Sequence, residues 1–589
     1  SYLNPPTDAV KRATVAEWQK ETRLSLFVRK PCAVCSGLRP LEELTRVHAI
    51  NVPLRILRND DLLPSIRPIS YNYWEYERAI LEPEGLEDRD RKGWMSMCSQ
   101  CLRDTEKGKM PRFALCNWLY YARDRVPSAV KEDFRQLSVF EKALVCRVRT
   151  NSLMCRFSGL DDNITDESDV SPFGNRVRHI RGNIISSPMD TARINDVLPP
   201  SPTEIGDTIC ALIVGRSRPT RETIEGLEPI LVRKARVKRI IEFLISNNPH
   251  YRTSCSFKGF SSDHLDGLFR GRRQSGVPDC VKIAYVIHND AVESTISDYT
   301  GRLDGLEGLF MENVAYTLGD KSTFSLDNMS LQALQHCKSG RPFLLARPGS
   351  TPVPDIHNPN WLSWAHPDAD PFGIGGFHEP RRKRAISMEQ QLRHLLNVFD
   401  PFFETDPTIS FDVYNIIRKN AVNTSLRFSV PYSSYSRIVN DIVRIDKGLL
   451  KDLANRYYRN PSYKPSTPEE AQILRTMAAI SPTARNVPGS ASQKIRMRNE
   501  IRAIISQRGS PTLFITLNPA DYHNPIVTVL AKRCKNDADI ERLLDLTENQ
   551  RANIALNHPV ACAQFFDRYI KQFVRTILRY GRLKRGIFG

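Results

Sequence analysis

The chain of 589 residues is 41% hydrophobic and 25% charged, and it carries a formal net charge of +18 with a pI near 9.4. This hydrophobic fraction excludes a mainly disordered protein, and no apolar run approaches the roughly 20 residues that a membrane-spanning helix needs. The excess of Lys and Arg favours a protein that binds a polyanion, with a basic surface kept for solubility as the alternative.

Residues 1–30 are a polar lead-in with one predicted helix. The sequence begins at Ser1 without a Met and shows no apolar signal segment, so we expect a piece of a longer intracellular protein. In a reducing compartment the thirteen cysteines should be thiols or metal ligands rather than disulfides.

Two C-x-x-C pairs follow, in "KPCAVCSGL" and "MSMCSQCLRD". A C-x-x-C turn brings two thiolates onto one tetrahedral ion, so two such turns predict a structural zinc site. The predicted ligands are Cys32, Cys35, Cys98 and Cys101. The 62 residues between the pairs are many more than the roughly 15–20 of an ordinary zinc ribbon.

Other interpretations of these cysteines stay open. The pairs could be unrelated turns, buried cysteines packed as small hydrophobes, or a redox dithiol, although no βαβ pattern surrounds either pair. Cys116 and His48 are possible substitute ligands, but Cys116 lies in an apolar run and is expected in the core.

Further along the chain, residues 158–175 are rich in Asp, Ser and Gly and predict a loop. An extended segment is expected at 209–215 and a strong helix at Glu228–Asn247. The apolar residues of that helix recur at i, i+3, i+4 and i+7: Val237, Ile240, Ile241 and Leu244.

The second half of the chain has a Pro-rich start. Eight prolines fall between residues 342 and 380 and predict irregular, extended chain. Helices are predicted at 387–399, 411–420, 436–457 and 491–507, the last ending at Gly509. A buried strand is expected at Leu513–Leu517, and an amphipathic helix in the C-terminal tail.

Basic residues gather in clusters that suggest phosphate contacts. Together with Thr516 and Asn518 at the predicted strand end, the predicted nucleic-acid-binding residues are Arg233, Lys234, Arg236, Lys238, Arg239, Arg381, Arg382, Lys383, Arg384, Arg496, Arg498, Lys571, Arg575, Arg579, Arg582, Lys584 and Arg585.

Each of these predictions has an ordinary structural alternative. Thr516 and Asn518 could simply cap the strand end, and the aromatics of the tail could be the apolar face of an ordinary helix. The pentamer "PRRKR" (380–384) could be a nuclear-import signal, although short basic runs are common by chance.

Several segments together resemble the N-terminal part of Helitron transposases of the type found in fungi. They are "PFGIGGFHEPRRKRAISMEQQLRHLLNVFDPFF", "FDVYNIIRKNAV" and "VPGSASQKIRMRNEIRAIISQRGSPTLFITLNPADYHNPI". In that family this region opens the Rep domain. The section upstream resembles the uncharacterised domain that precedes Rep, through "CAVCSG", "MCSQCL", "MPRFALCNWLYYARDRVP", "HIRGNIISSP" and "LVRKARVKRIIEFLISNNPHY".

The resemblance implies rolling-circle transposition, in which a Rep nuclease nicks DNA through a tyrosine and a helicase unwinds the duplex. Nicking needs a His-x-His metal site and ATP hydrolysis needs a phosphate loop. Neither pattern occurs among these residues, so we expect no nicking or ATPase activity, no Mg or ATP site, and no catalytic residue. The chain ends about where the family's His-x-His strand would follow, which predicts a fragment.

The resulting prediction is a multi-domain α+β protein, in which a zinc-stabilised mixed domain is followed by helices that lead into an incomplete Rep-like (HUH) sheet. The expected parts are a lead-in (1–30), a cysteine-containing domain (31–250), a poorly defined region with a Pro-rich linker (251–375) and the start of a Rep-like domain (376–589). The expected partner is DNA, single-stranded or at element ends, and the expected location is the nucleus. The alternative hypothesis is a non-enzymatic interaction protein of the nucleus.

Overall fold

The computed structural model describes residues 6–148, 231–269, 273–287, 355–406, 408–427, 465–480, 491–511, 515–521, 524–534 and 536–580, with short pieces between them. These residues form helices and small sheets, which confirms the α+β class. The chain divides into two compact units, one of residues 1–412 and 518–589 and the other of residues 413–517.

The helices of the first unit are α1 Asp8–Glu21, α2 Ser99–Glu106, α3 Ser128–Arg135, α4 Val139–Val145, α5 Lys234–Asn247, α6 Ser262–Asp266, α7 Trp361–Ala365, α8 Met388–Leu395 and α9 Phe402–Thr405. After α10 (Ile409–Arg427), which contains the boundary between the units, the second unit holds α11 Pro468–Ile480 and α12 Ala491–Arg508. The first unit resumes with α13 Pro525–Lys532, α14 Asp537–Leu544, α15 Glu548–Asn557 and α16 Pro559–Gln572, followed by a π-helical turn, Phe573–Ile577.

Within the described residues the strands are short and form five small sheets. They are β1 Arg29–Pro31, β2 Leu38–Pro40, β3 Leu44–His48, β4 Trp94–Cys98, β5 Met154–Arg156, β6 Arg178–His179, β7 Val197–Leu198, β8 Cys210–Gly215, β9 Val232–Arg233, β10 Gly259–Phe260, β11 Ser275–Gly276, β12 Lys282–Ile287 and β13 Leu309–Glu312. The largest sheet has the order β12-β8-β13-β5-β6, in which only β12 and β8 run parallel.

An antiparallel pair, β3 and β4, explains the long separation of the two C-x-x-C pairs. Leu44 pairs with Cys98 and His48 with Trp94, so the chain leaves along one strand and returns along the other. The residues between these strands bury side chains such as Leu57, Tyr76 and Ile80 in a first hydrophobic core, which also contains the four cysteines of the two pairs. The segment between the two pairs is therefore folded, and the pairing of β3 with β4 brings the second pair close to the first.

A second core surrounds α5. Val237, Ile240, Ile241 and Leu244 are each fully buried, which confirms the apolar face predicted from the sequence. The helix begins later than predicted because Val232–Arg233 pairs as a strand with Ser275–Gly276. The predicted extended segment at 209–215 corresponds to β8.

A third core joins the beginning and the end of the first unit. Phe27 and Val28 are buried among side chains of α13 and α16, including Val527, Leu530 and Phe565. The tail helix is amphipathic as predicted, since Phe565 is buried while Phe566 is half exposed. The N-terminal lead-in thus supplies part of the core that the C-terminal helices form.

In the second half of the chain, three of the predicted helices are confirmed, and the predicted strand is absent over its described residues, 515–517. The predicted helices at 387–399, 411–420 and 491–507 correspond to α8, α10 and α12, and Gly509 follows α12 with φ +84. Residues 515–520, however, are irregular, and Ile515 is 43% exposed. No strand pairs with this segment in the described part of the chain, so nothing holds it extended.

Three sequence predictions concern segments that lie mostly outside the described residues. The loop at 158–175 and most of the helix at 436–457 lie outside the described residues, as does most of the Pro-rich stretch before residue 355. Among the described helices, none combines the length and the apolar character that crossing a bilayer requires.

Candidate metal centre and nucleic-acid interface

Four buried cysteines from two distant parts of the sequence meet at one point. The Sγ atoms of Cys32, Cys35, Cys98 and Cys101 all lie within 4.8 Å of one another, and each residue is at most 6% exposed. The two C-x-x-C pairs therefore form a single cluster rather than two unrelated turns.

Each pair is positioned by a strand and the turn or helix after it. Cys32 and Cys35 lie in the turn between β1 and β2, where Ser36 takes a left-handed conformation with φ +57. Cys98 ends β4, and Cys101 lies in the first turn of α2. Backbone hydrogen bonds fix the two halves together, because the Ala33 amide donates to the Ser96 carbonyl at 2.8 Å.

The four thiols are coupled to one another. Hydrogen bonds that they share lower the pKa of Cys32 and Cys98, and the same sharing raises the pKa of Cys101. The Cys98 amide also donates to the Cys32 sulfur at 3.3 Å, which favours a thiolate there.

This donor set fits a zinc ion. Tetrahedral Zn–S bonds of about 2.3 Å place the sulfurs about 3.8 Å apart, which is compatible with the observed cluster. Four sulfur ligands with no open position are typical of structural rather than catalytic zinc. The cluster could therefore hold a zinc ion, and its residues are the four that the sequence predicted.

The substitute ligands considered from the sequence lie elsewhere. The Cys116 thiol is buried and contacts the Ile56 carbonyl, and burial raises its pKa to about 12. The His48 ring accepts a hydrogen bond from the Ile50 amide and contacts Trp94 edge-on. Neither belongs to the cluster of described side chains.

The cysteine turn is joined through its backbone to a segment more than 350 residues later. The Leu38 amide donates to the Asn397 carbonyl at 2.8 Å, and the Phe399 amide donates to the Ser36 carbonyl at 2.9 Å. An isolated β-bridge pairs Gly37 with Val398. We call this pairing of residues 36–38 with residues 397–399 the seam.

A buried histidine completes the seam. The His394 ring stacks on Phe113 with centroids 4.8 Å apart, and it approaches the position that a Cβ on Gly37 would take. Burial lowers the pKa of His394 to about 4, so the ring is neutral at physiological pH. A Cβ at position 37 would lie in van der Waals contact with both the Cys35 sulfur at 3.4 Å and this ring at 3.6 Å.

Several of the predicted nucleic-acid-binding residues have partners inside the protein. Lys234 contacts Asp266, Arg236 pairs with the fully buried Glu141 at 2.8 Å, and Arg579 contacts Glu17 at 2.8 Å. Their charged groups are largely buried, so they stabilise the fold more directly than they could contact a phosphate.

Other predicted basic residues fall into the same class. Arg382 is 9% exposed and donates to the carbonyls of Asn117, Trp118 and Gly376. Arg384 contacts the Met110 carbonyl, whereas Arg239 pairs with Asp133 but keeps a half-exposed side chain.

A third set lies on the surface. The exposed members are Arg233, Lys238, Arg239, Arg381, Lys383, Arg496, Arg498, Thr516, Asn518, Lys571 and Arg575. Arg381 stacks on Trp118, and Lys571 pairs with Asp567 on its own helix. Arg582, Lys584 and Arg585 lie outside the described residues.

The sequence analysis missed several buried charged residues, of which Arg29 and Glu404 are examples. Arg29 inserts between helices, and it donates to the Leu530 carbonyl at 2.9 Å. Glu404 is 4% exposed and pairs with Arg533 at 2.9 Å. Single charged residues at the edges of short elements carry no periodic signal, so only the tertiary structure shows their burial.

Comparison with protein-family models gives two matches. Residues 107–264 match "Domain of unknown function (DUF6570)", and residues 391–589 match "Helitron helicase-like domain at N-terminus". The second match supports a Helitron-related protein. No curated protein matches the chain, and no solved structure does.

Proposed function

We propose that this chain is a DNA-binding part of a fungal-type Helitron rolling-circle transposase, held together by a structural zinc ion and acting in the nucleus. The observation that carries the proposal is the match of residues 391–589 to the Helitron helicase-like domain. The exposed basic and apolar side chains of α12, which lies in that region, also support the proposal.

The best candidate for the DNA contact is α12. It carries five basic residues and one acid, and its described side chains are exposed or nearly so. Arg496 and Arg498 alternate along the sequence with Ile495 and Met497, whose apolar side chains are half exposed. Basic groups beside apolar ones suit single-stranded DNA, because phosphates attract the charges while sugars and bases cover the apolar groups.

The proposed role is binding without cleavage. These 589 residues contain neither a His-x-His pair nor a phosphate loop of the G-x-x-x-x-G-K-[ST] type. A nicking step would need the metal-binding pair and a tyrosine nucleophile, so we assign no catalytic residue. Zinc at the cysteine cluster would supply stability, since four sulfur ligands leave no position for a substrate.

A salt titration of DNA binding tests the proposal. The full chain is titrated against a fluorescein-labelled single strand of about 20 nucleotides, a length that spans one or more binding sites. We expect binding that weakens as salt rises, with a slope that falls by about 1.4 in the R496Q/R498Q variant, or about 0.7 for each lost phosphate contact. The full chain is needed because the seam crosses the expected boundary near residue 376.

The matched control is K107Q/K109Q, which removes the same charge from exposed positions just after α2. An equal loss in both variants would mean that only overall charge matters and would contradict an interface on α12. No binding in dilute buffer, or cleavage of the strand by the chain alone, would overturn the proposal. Absence of DNA binding together with capture of a protein by the N-terminal part would favour the non-enzymatic interaction protein.

A further inference from the structure

A cleft of about 370 Å³ opens beside the seam. It is walled by Ser36 of the cysteine turn, by residues of the segments 81–89 and 115–124, and by the segment around Phe399. Aromatic and acidic side chains stand out in its lining, among them Glu82, Tyr120, Asp124, Phe399 and Phe403. A cleft of this volume with apolar walls and a few convergent polar groups is the usual form of a binding site.

The basic side chains of the lining are mostly already paired. Arg89 contacts Glu84 at 2.7 Å, and Arg123 contacts Asp400 at 2.7 Å. Lys131, the third basic group of the lining, is exposed.

Glu82 is different, because no cation neutralises it among the described residues. Its carboxylate accepts from the Ser36 hydroxyl at 2.6 Å and weakly from the Glu84 amide at 3.4 Å. Burial raises the pKa of this carboxyl, since water is removed while no positive charge is gained. Asp124, on the same lining, accepts only the Tyr120 hydroxyl at 2.9 Å within the described part.

We infer that this cleft binds the guanidinium group of an arginine side chain presented by a basic peptide of a partner protein. A guanidinium supplies the positive charge that Glu82 and Asp124 lack, and its planar face packs on aromatic rings such as Tyr120 and Phe399. A phosphate or a nucleic-acid backbone would instead meet the carboxylates of the lining. The inference is independent of the DNA-binding proposal, since α12 takes no part in it.

The test uses the full chain and small probes. Nα-acetyl-arginine amide and Nα-acetyl-citrulline amide have nearly the same shape, but only arginine is charged. Isothermal titration should show arginine binding about tenfold more tightly than citrulline, because a charge-assisted hydrogen bond is stronger than a neutral one. Equal binding of the two probes, or no binding of either, overturns the inference.

Variants locate the site. E82Q keeps an acceptor for Ser36 and removes the charge, so it should lose the preference for arginine. The matched control E75Q removes a charge from an exposed residue outside the lining and should leave the preference unchanged. If E82Q melts at a lower temperature than the parent, D124N replaces it as the test, and a full preference in D124N would count against the inference.

A longer probe, a peptide with one central arginine and alanine neighbours, identifies the source of the side chain. It should compete with the amide for the parent chain. If a segment of this chain already filled the cleft, the peptide would fail to bind, and a partner in trans would be excluded.

Discussion

The guanidinium of Arg29 donates a hydrogen bond of 2.6 Å to the side-chain oxygen of Gln564, although 535 residues separate them in the sequence. The same guanidinium donates to the Leu530 carbonyl and to Asn397. One side chain from the N-terminal segment thus joins α13, α16 and the seam.

Replacing Arg29 by alanine should lower the free energy of unfolding by about 3 kcal/mol, because several buried acceptors lose a charged donor at once. Burial lowers the pKa of Arg29 to about 10, so the group is still charged at neutral pH. The urea midpoint followed by circular dichroism checks this. The exposed Arg12 of α1 is the control, and R12A should leave the midpoint almost unchanged.

Replacing Cys98 by serine should abolish a zinc content of about one ion per chain, measured by mass spectrometry of the metal. Loss of the ion should also loosen the seam, because residues 36–38 follow directly on Cys35. Hydrogen exchange of the Leu38 and Phe399 amides should then become faster, while amides in α14 and α15 keep their rates. C255S, at an exposed cysteine, should change neither quantity. Full zinc content in C98S would contradict a four-cysteine site.

Replacing Gly85 by alanine should disturb the cysteine turn without touching a ligand. A Cβ at this position would lie 2.6 Å from the backbone of Ala33, between the two ligands of the first pair. Since that backbone is held by Ser96, the crowding should weaken zinc binding, measured by competition with a chelator. Gly108 is the matched control, because a Cβ there meets nothing within 4 Å and only its positive φ opposes the change.

Replacing Lys142 by methionine should cost about 3–5 kcal/mol at pH 7, because it leaves buried carboxylates without their cation. Lys142 contacts Asp368 at 2.9 Å and Asp406 at 3.1 Å. Burial alone would raise the pKa of Asp406, but Lys142 lowers it below the ordinary range.

The sign of the pH dependence follows from that direction. A carboxyl with a lowered folded pKa stabilises the parent above its unfolded pKa of about 3.9, and this stability is lost as the pH falls. Without the lysine, burial is the largest influence on Asp406 and raises its pKa, partly offset by the Thr408 and Ile409 amides. The penalty in K142M therefore grows as the pH rises through the higher pKa of the variant. Urea midpoints between pH 4 and pH 8 should therefore show the two proteins converging at low pH. A constant difference would contradict the ion pair.

The sequence was most informative where a pattern repeats or a ligand type is specific. The periodic apolar face of α5 and the four cysteines were both predicted, because helical spacing and thiol pairs are local signals. The seam was not predicted, since backbone pairing between residues 36–38 and 397–399 leaves no mark in composition. Of the strand expected at Leu513–Leu517, residues 515–517 are irregular because apolar residues alone do not provide a partner strand, and residues 513–514 lie outside the described part of the chain.

For the basic residues as well, the sequence did not show which side chains are buried. Arg236 and Lys238 lie two positions apart on one helix, yet one is buried against Glu141 and the other is exposed. Sequence clustering could not separate them, because their difference depends on which neighbouring helix packs against α5. Charge patterns therefore predicted a basic surface without showing which residues are on it.

The third core has a consequence for synthesis on the ribosome. Phe27 and Val28 emerge about 500 residues before α13 and α16 are made, which at about 5–20 residues per second is a delay of roughly 25 to 100 seconds. During that interval the nascent chain presents these apolar side chains without their native cover, so chaperones that bind such segments would determine how much of the polypeptide matures.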